Sequence, residues 1–406
     1  MTTVLEQAFR DEWSRVLTTL IRFTGNLDLS EECTQEAFAR AAEDGLEGTR
    51  NPGAWLTTVA KRIAVDRMRR EATLARKLPL LVEDKASGEA DSSPIDDERL
   101  RLAFVACHPN LAEEAQVALA LRLVCGVTTE DIAAVFMVPE ATMAARITRA
   151  KKRIAATGAR FELPSLDRLG DRIDAVRTTI YLLYTTLHAA PRPPEAPAGP
   201  SVGAAISMAA QLVSLDPEDS ESAGLHALLL LTEARRPGRV SAHGDALALD
   251  EVDRSLWDSQ LISEGLAQAS RALPGGGRFA LQSGISGLHS ASPTWAGTPW
   301  PEIVRLYERL IEIWPSPSAR LGALIARSYL PDFGPATALG GLDDLVTEAG
   351  GVPDRQVAAT RGDLLRRLSR HREAIIAYEA AARLEPDPVL HSYLVRRAAE
   401  SAHRDS

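Results

Sequence analysis

Apolar residues recur at three- and four-residue intervals along almost the whole chain, and that spacing leaves few folds open. Phe9, Trp13, Val16, Leu17, Leu20, Ile21 and Thr24 form one stripe, ended by Gly25-Asn26. Ser30 ahead of Glu31-Glu32 marks a second helix start, running through Ala37, Phe38 and Ala41 to Gly45. Pro52 sits where proline is welcome, in the first turn of a third helix. The apolar side of that helix carries Trp55, Leu56, Val59, Ile63, Val65 and Met68. Alternating β-branched runs are scarce while Ala and Leu dominate, so the fold class expected is all-α.

The 406 residues suffice for two or three domains, each with its own core. Residues 1–76 form a compact helical block, and 77–97 an acidic, poorly periodic linker holding Gly88, Ser92, Ser93 and Pro94. A second compact block spans 98–160 and closes near Leu163-Pro164. Residues 161–200 hold a connecting helix and the proline-rich run APRPPEAPAGP. From 201 to 406, helix follows helix, broken by Pro/Gly clusters at 273–277, 292–301, 331–335 and 350–353. Near the end, Gly362, Leu365, Ala374, Tyr378, Ala381 and Pro386 fall at tetratricopeptide spacing, and Tyr307, Leu310 and Pro315 echo its second half. Such pairs stack into a solenoid to bury their second faces.

Three cysteines (Cys33, Cys107, Cys125) exclude a disulfide framework and match no zinc spacing, which fits a reducing cytoplasm. The first residues show no signal pattern, and no apolar run reaches the ~18 residues of a membrane span.

The net charge of −9 conceals a strong segregation. Lys61 to Lys77 holds seven basic residues against Asp66 and Glu71, and Arg146 to Arg160 holds six and no acid. Between them, Glu83 to Glu98 holds seven acids against Lys85. Local stripes of this kind are the electrostatic footprint of nucleic-acid binding.

Two constellations carry chemistry. On the helix from Pro52, packing the apolar stripe inward leaves Thr57, Thr58, Lys61, Arg62, Asp66, Arg69 and Arg70 on or near the exposed side. Lys and Arg there suit phosphates, Thr, Arg and Asp suit unpaired base edges, and the small polar loop 45–51 has room for an extruded base. The second is a helix-turn-helix. Thr128 to Asp131 opens a short helix with Ile132, Ala133, Val135 and Phe136 inward, and Met137-Val138-Pro139 makes the turn. The next helix begins with Glu140, Ala141, Thr142 and Ala144, then presents Arg146, Arg149, Lys151, Lys152 and Arg153 to clamp phosphates beside a major groove.

Catalytic chemistry has thin support. His188, His226, His243 and His289 are scattered, and Asp245, Asp250, Glu251, Asp253 and Asp258 around RSLWD read as solvated loop acids beside a structural Trp257. Cys107-His108 reads as a buried thiol near a helix start, and PGGG at 274–277 as a helix–helix turn. No catalytic residue, metal ligand or cofactor is expected.

The order SEECTQEAFARA, NPGAWLTTVAKRIAVDRMRRE, acidic linker, then VTTEDIAAVFMVPEATMAARITRAKKRI resembles the extracytoplasmic-function (ECF) sigma factors of bacterial RNA polymerase. CHPNLAEEAQVALALRLVCGVTTEDIAAVF, RSLWD and the helical extension are similar to the subgroup with a C-terminal tetratricopeptide-like domain. The resemblance implies sigma region 2 at 1–76, region 4 at 98–160 and the extension at 201–406. It implies docking of Glu31, Glu32, Gln35, Glu36 and Phe38 on the β′ clamp of core polymerase, with the β flap as a second contact. Loop 45–51 and Thr57, Thr58, Lys61, Arg62, Asp66, Arg69 and Arg70 would open and read the −10 element. Glu140, Thr142, Ala145, Arg146, Arg149 and Lys152 would read the −35 element. Core polymerase and promoter DNA are then the partners, with a protein partner and a regulatory role for the C-terminal half. The rival is a helix-turn-helix regulator with a tetratricopeptide sensor acting without polymerase, which leaves Leu5–Arg70 idle; an enzyme or scaffold module is the rival for the C-terminal half.

Overall fold

A computed structural model describes residues 4–46, 49–74, 95, 97–136, 138–156, 166–189, 202–239, 241, 246–349 and 354–405. The expected linker over 77–97, apart from Ile95 and Asp97, the break at Leu163-Pro164 and the proline-rich run lie outside these residues, as do positions 47 and 48 of the loop 45–51. The described residues are helical and form no sheet. They fall into two compact units, 1–211 and 212–406.

The first unit opens with α1 (Val4–Thr24), α2 (Leu27–Asp44) and α3 (Pro52–Leu74), packed on one another around Val16, Leu17, Leu20, Ala37, Leu56, Ala60 and Ile63. Helix α2 starts three residues before the expected Ser30. Asn26 Oδ1 accepts from Leu29 N at 3.1 Å, while Ser30 Oγ donates to Asn26 O, so Asn26 is the cap and Leu27 is buried. Next come α4 (Glu98–Ala106), α5 (Glu113–Cys125), α6 (Thr129–Val135), α7 (Glu140–Ala156) and α8 (Leu166–Ala189). Five consecutive residues of α5, Val117 to Leu121, are buried, as befits a helix surrounded by neighbours. Cys107 is buried as expected but ends α4 instead of starting a helix; burial pushes its thiol pKa up to about 12, 3.6 Å from Thr179 Oγ1.

Helix α9 (Val202–Leu215) precedes the second unit's α10 (Ser220–Ala234), α11 (Ser259–Ala272), α12 (Arg278–Ala291), α13 (Trp300–Ile313), α14 (Pro317–Arg327), α15 (Gly334–Ala349), α16 (Asp354–Arg367), α17 (His371–Leu384) and α18 (Pro388–Asp405). From α10 onward each helix packs on the next, and α12 packs on α10 as well. On α16, Gly362 faces Tyr378 of α17 so closely that a Cβ would stand 2.8 Å from the ring. Ala374, Tyr378 and Ala381 are buried with Leu394 and Ala398 of α18, which covers the second face of that pair.

The segment 246–258 departs from the reading of solvated acids. Trp257 is buried, but Glu251 accepts from Arg396 at 3.1 Å and Arg397 at 3.0 Å. Those guanidinium groups, working against the burial penalty, hold its carboxyl below the usual range. Asp253 and Asp258 cap the helical turns that follow them. No helix among the described residues is long and apolar enough to cross a membrane.

His289 lies stacked on Trp295 and edge-on to Trp300, and burial pushes its pKa down to about 4, with Arg235 and Arg254 adding to the shift. The unfolded chain takes up that proton near pH 6.5 and the folded one does not, so stability present above pH 6.5 is lost as the pH falls toward 4, by up to about 1.4 kcal/mol per unit. Urea denaturation of the full chain at pH 7 and pH 5 should therefore show a loss smaller by about 2 kcal/mol in His289→Gln than in the parent. Equal losses would mean that another group carries the acid sensitivity.

Candidate nucleic-acid interface

Helix α3 begins where Asn51 Oδ1 accepts from Ala54 N at 3.0 Å, and it turns Leu56, Ala60, Ile63 and Ala64 into the core. That rotation leaves Thr58, Lys61, Arg62, Asp66, Arg69 and Arg70 exposed together. Thr57 stands half-buried at the edge with its hydroxyl donated to Gly53 O, and Thr58 donates to Ala54 O. Lys61 Nζ sits 5.7 Å from the Phe23 ring centroid, steadied by α1. The expected residues thus form one polar, mostly basic face.

The acidic helix α2 divides its five expected residues. Glu32 and Gln35 are exposed and Glu36 half-buried, whereas Glu31 and Phe38 are buried. Phe38 packs 5.2 Å from Phe9 and 5.7 Å from Trp13, ring to ring, so it is core. Arg67 of α3, part of the basic run Lys61 to Lys77 but not one of the expected site residues, reaches across to Glu36 at 2.8 Å and to Glu32. Burial would raise the Glu36 carboxyl, but hydrogen bonds from Arg40 and Arg67 prevail and hold it below the usual range.

The helix-turn-helix is present. Thr128 Oγ1 caps α6 by accepting from Asp131 N, Ile132 and Ala133 are buried, and Val138 N donates to Ala133 O across the turn at 3.0 Å. On α7, Met143, Ile147, Ala150 and Ile154 face inward, so Glu140, Thr142, Ala145, Arg149 and Lys152 are exposed on the opposite side. Arg146 is half-buried over the Phe136 ring and paired with Glu114 at 3.0 Å. Lys151 is not among the outward clamps. Its Nζ lies 3.0 Å from Asp28 and 2.6 Å from Glu31, both on α2, and these carboxylates outweigh burial to raise its pKa.

Glu31 is 4% exposed, and its other oxygen receives Arg122 Nε of α5 at 2.9 Å. Beside this junction Trp13 Nε1 donates to Leu123 O and Ser14 Oγ to Val124 O. The helices α1–α3 and α4–α7 are therefore fastened together by one buried carboxylate, two backbone carbonyls and the α5–α6 turn. No sequence signal pairs these remote positions.

Three family models match the chain: Sigma-70 region 2 over residues 8–73, Sigma-70, region 4 over 101–154, and a family of unknown function (DUF6596) over 172–273. An uncharacterised protein of Rhizobium meliloti is 36% identical over 388 residues, covering 92% of this chain and 90% of its own length. No solved structure matches.

At the α5–α6 turn Gly126 has φ +61°, and a Cβ would stand 2.9 Å from the Phe9 ring. Gly126→Ala combines left-handed strain with that clash and should destabilise the full chain by about 2 kcal/mol in urea denaturation. A change below about 0.5 kcal/mol, typical of a free surface, would show that this turn is not seated on α1 in solution.

Proposed function

Because the chain belongs to the sigma-70 family, as an ECF-type factor with a C-terminal extension, we propose a division of labour within it. The protein is a sigma factor that directs transcription initiation with core RNA polymerase on promoter DNA, and sigma-70 proteins are not enzymes. Its place of work is then the cytoplasm. In our reading the α3 face, Thr57 to Arg70, opens and reads the −10 element, and Glu140, Thr142, Ala145, Arg146, Arg149 and Lys152 of α7 read the −35 element. Glu32, Gln35 and Glu36, with Glu31 and Phe38 behind them, dock on the β′ clamp, and the α4–α7 block meets the β flap. The tetratricopeptide-like C-terminal half regulates these steps through a protein partner.

The observation that carries this reading furthest is the junction at Glu31. Elements 25 base pairs apart are separated by about 85 Å of duplex at about 3.4 Å per pair. Both reading helices pack against α2, whose 18 residues span only about 27 Å. The two faces cannot reach both elements in this arrangement, which we assign to a closed, resting state. Residues 75–94, at an upper limit of about 3.4 Å each, give at most roughly 70 Å of chain, enough for the blocks to part. Polymerase then competes with Lys151 and Arg122 for the acidic side of α2.

Lys151→Glu sets a third carboxylate against Asp28 and Glu31 and should open the pair. We expect core polymerase to bind this variant several-fold more tightly, and energy transfer between fluorophores on exposed Glu43 and Arg153 to fall to the level that polymerase induces in the parent. Unchanged binding and unchanged transfer would mean that the junction does not restrain docking.

For reading residues the holoenzyme is the material. Arg149→Ala should cost ~1–3 kcal/mol on promoter DNA and relax specificity at one position, while Lys152→Ala weakens all sequences alike and lowers the salt slope by about one. Identical behaviour of the two variants on promoter and random duplex would move base reading to other residues.

A further inference from the structure

Of the residues assigned to the −35 element, only Arg146 is tied to other helices among the described residues. Its Nη1 lies 3.0 Å from Glu114 Oε2, in the first turn of α5. Its guanidinium carbon stands 5.8 Å from the ring centroid of Phe136, the residue that ends α6. Three helices therefore converge on one guanidinium. Arg149, the next arginine on α7, has only its own helix for support, with Nε donating to Ala145 O at 3.2 Å.

The Glu114 side chain is 70% exposed and that of Arg146 23%. An ion pair so open to water, and screened by salt, adds little to stability. It does more to the arginine itself. A long, flexible side chain braced by a carboxylate at its tip and a ring beneath has lost much of its rotamer freedom before any ligand arrives. Glu114 engages Nη1, so the Nε–Nη2 edge keeps two planar donors without a partner among the described residues.

The position suits such a fork. Met143, Ile147 and Ala150 define the inward side of α7, and Arg146 stands at the border of the exposed side, one turn from Thr142 and Arg149. The pair joins α5 to α7 inside the helix-turn-helix block, away from Lys151, which faces α2. Opening the junction at Glu31 leaves it intact. A carboxylate placed here weakens the attraction of α7 for phosphates, so what it offers is specificity and not strength of binding. Two adjacent donors also select the base. In the major groove guanine presents two acceptors, O6 and N7, whereas adenine sets a donor beside its acceptor, cytosine a donor and thymine one acceptor beside a methyl group.

We propose that Glu114 determines specificity without touching DNA, by orienting Arg146 so that its Nε–Nη2 edge meets O6 and N7 of one guanine in the −35 element. The inference rests on the assignment of −35 reading to α7 and names the residue that sharpens it. Arg146 reads, and Glu114 is a positioning residue.

Holoenzyme is titrated with promoter duplexes in which each −35 base pair is replaced in turn, and with random duplex as reference. Arg146→Ala should lower discrimination at one G·C pair by at least about fivefold. Glu114→Gln removes the charge and keeps the shape. It should lower discrimination at that same pair by about two- to fivefold, spare the other pairs, and bind random duplex at least as tightly as the parent. In the Arg146→Ala background Glu114→Gln should leave discrimination unchanged. A thermal melt checks each fold; Glu114 is exposed, and Arg146→Lys, which keeps the charge without the fork, serves if the alanine variant does not fold. Weakening of every duplex alike by Glu114→Gln would make the pair a structural brace and overturn the proposal. Full discrimination in Glu114→Gln beside a loss in Arg146→Ala overturns the proposal alone. Full discrimination in the arginine variants overturns it together with the assignment of base reading to Arg146.

Discussion

One buried carboxylate, Glu31, joins three helices of the first unit. An ionised acid taken out of water is costly unless each oxygen finds a cationic partner, and here Arg122 and Lys151 supply one each. Losing either leaves a charge under-compensated in the interior, so the pairing holds α2, α5 and α7 together in this arrangement. The rotation of α7 follows. With Lys151 drawn inward beside Ile147, Ala150 and Ile154, the positions 142, 145, 149 and 152 turn outward to the solvent.

The same economy of charge governs the surface of the first three helices. Arg67 stands among basic residues in sequence, yet it is spent on Glu32 and Glu36 of α2. It therefore separates two surfaces of opposite sign: Lys61, Arg62, Arg69 and Arg70 on α3, and the acidic side of α2. A chain of net charge −9 can in this way present a locally basic face to a polyanion while offering an acidic one to a protein.

In the second unit the stack of helices is tied across its length by an equivalent device. Glu251, from the segment between α10 and α11, binds two arginines of the last helix and so brings remote parts of the unit together. Packing of Gly362 on Tyr378 and of the α16–α17 pair on α18 explains why the terminal helix has an apolar side at all.

The helices, the helix-turn-helix and the exposed face of α3 were legible in the residues themselves, because the 3.6-residue period and the caps at Asn51 and Thr128 are local properties. The order of the two motif blocks sufficed for the family. What the linear pattern could not contain is which charged residues are spent inside the protein. Lys151 reads like its neighbour Lys152, Arg67 like Arg69, and Glu31 like Glu32, since each pair shares residue type and surroundings in the chain. Phe38 reads as part of a docking surface until Phe9 and Trp13 are seen to enclose it. Likewise Glu251 reads as a loop acid until α18 folds back to meet it. Local periodicity thus determined which helices form and which sides are apolar. Only the tertiary structure decided which charges are neutralised within it, because ion pairing depends on distances of a few ångströms between positions tens to more than a hundred residues apart.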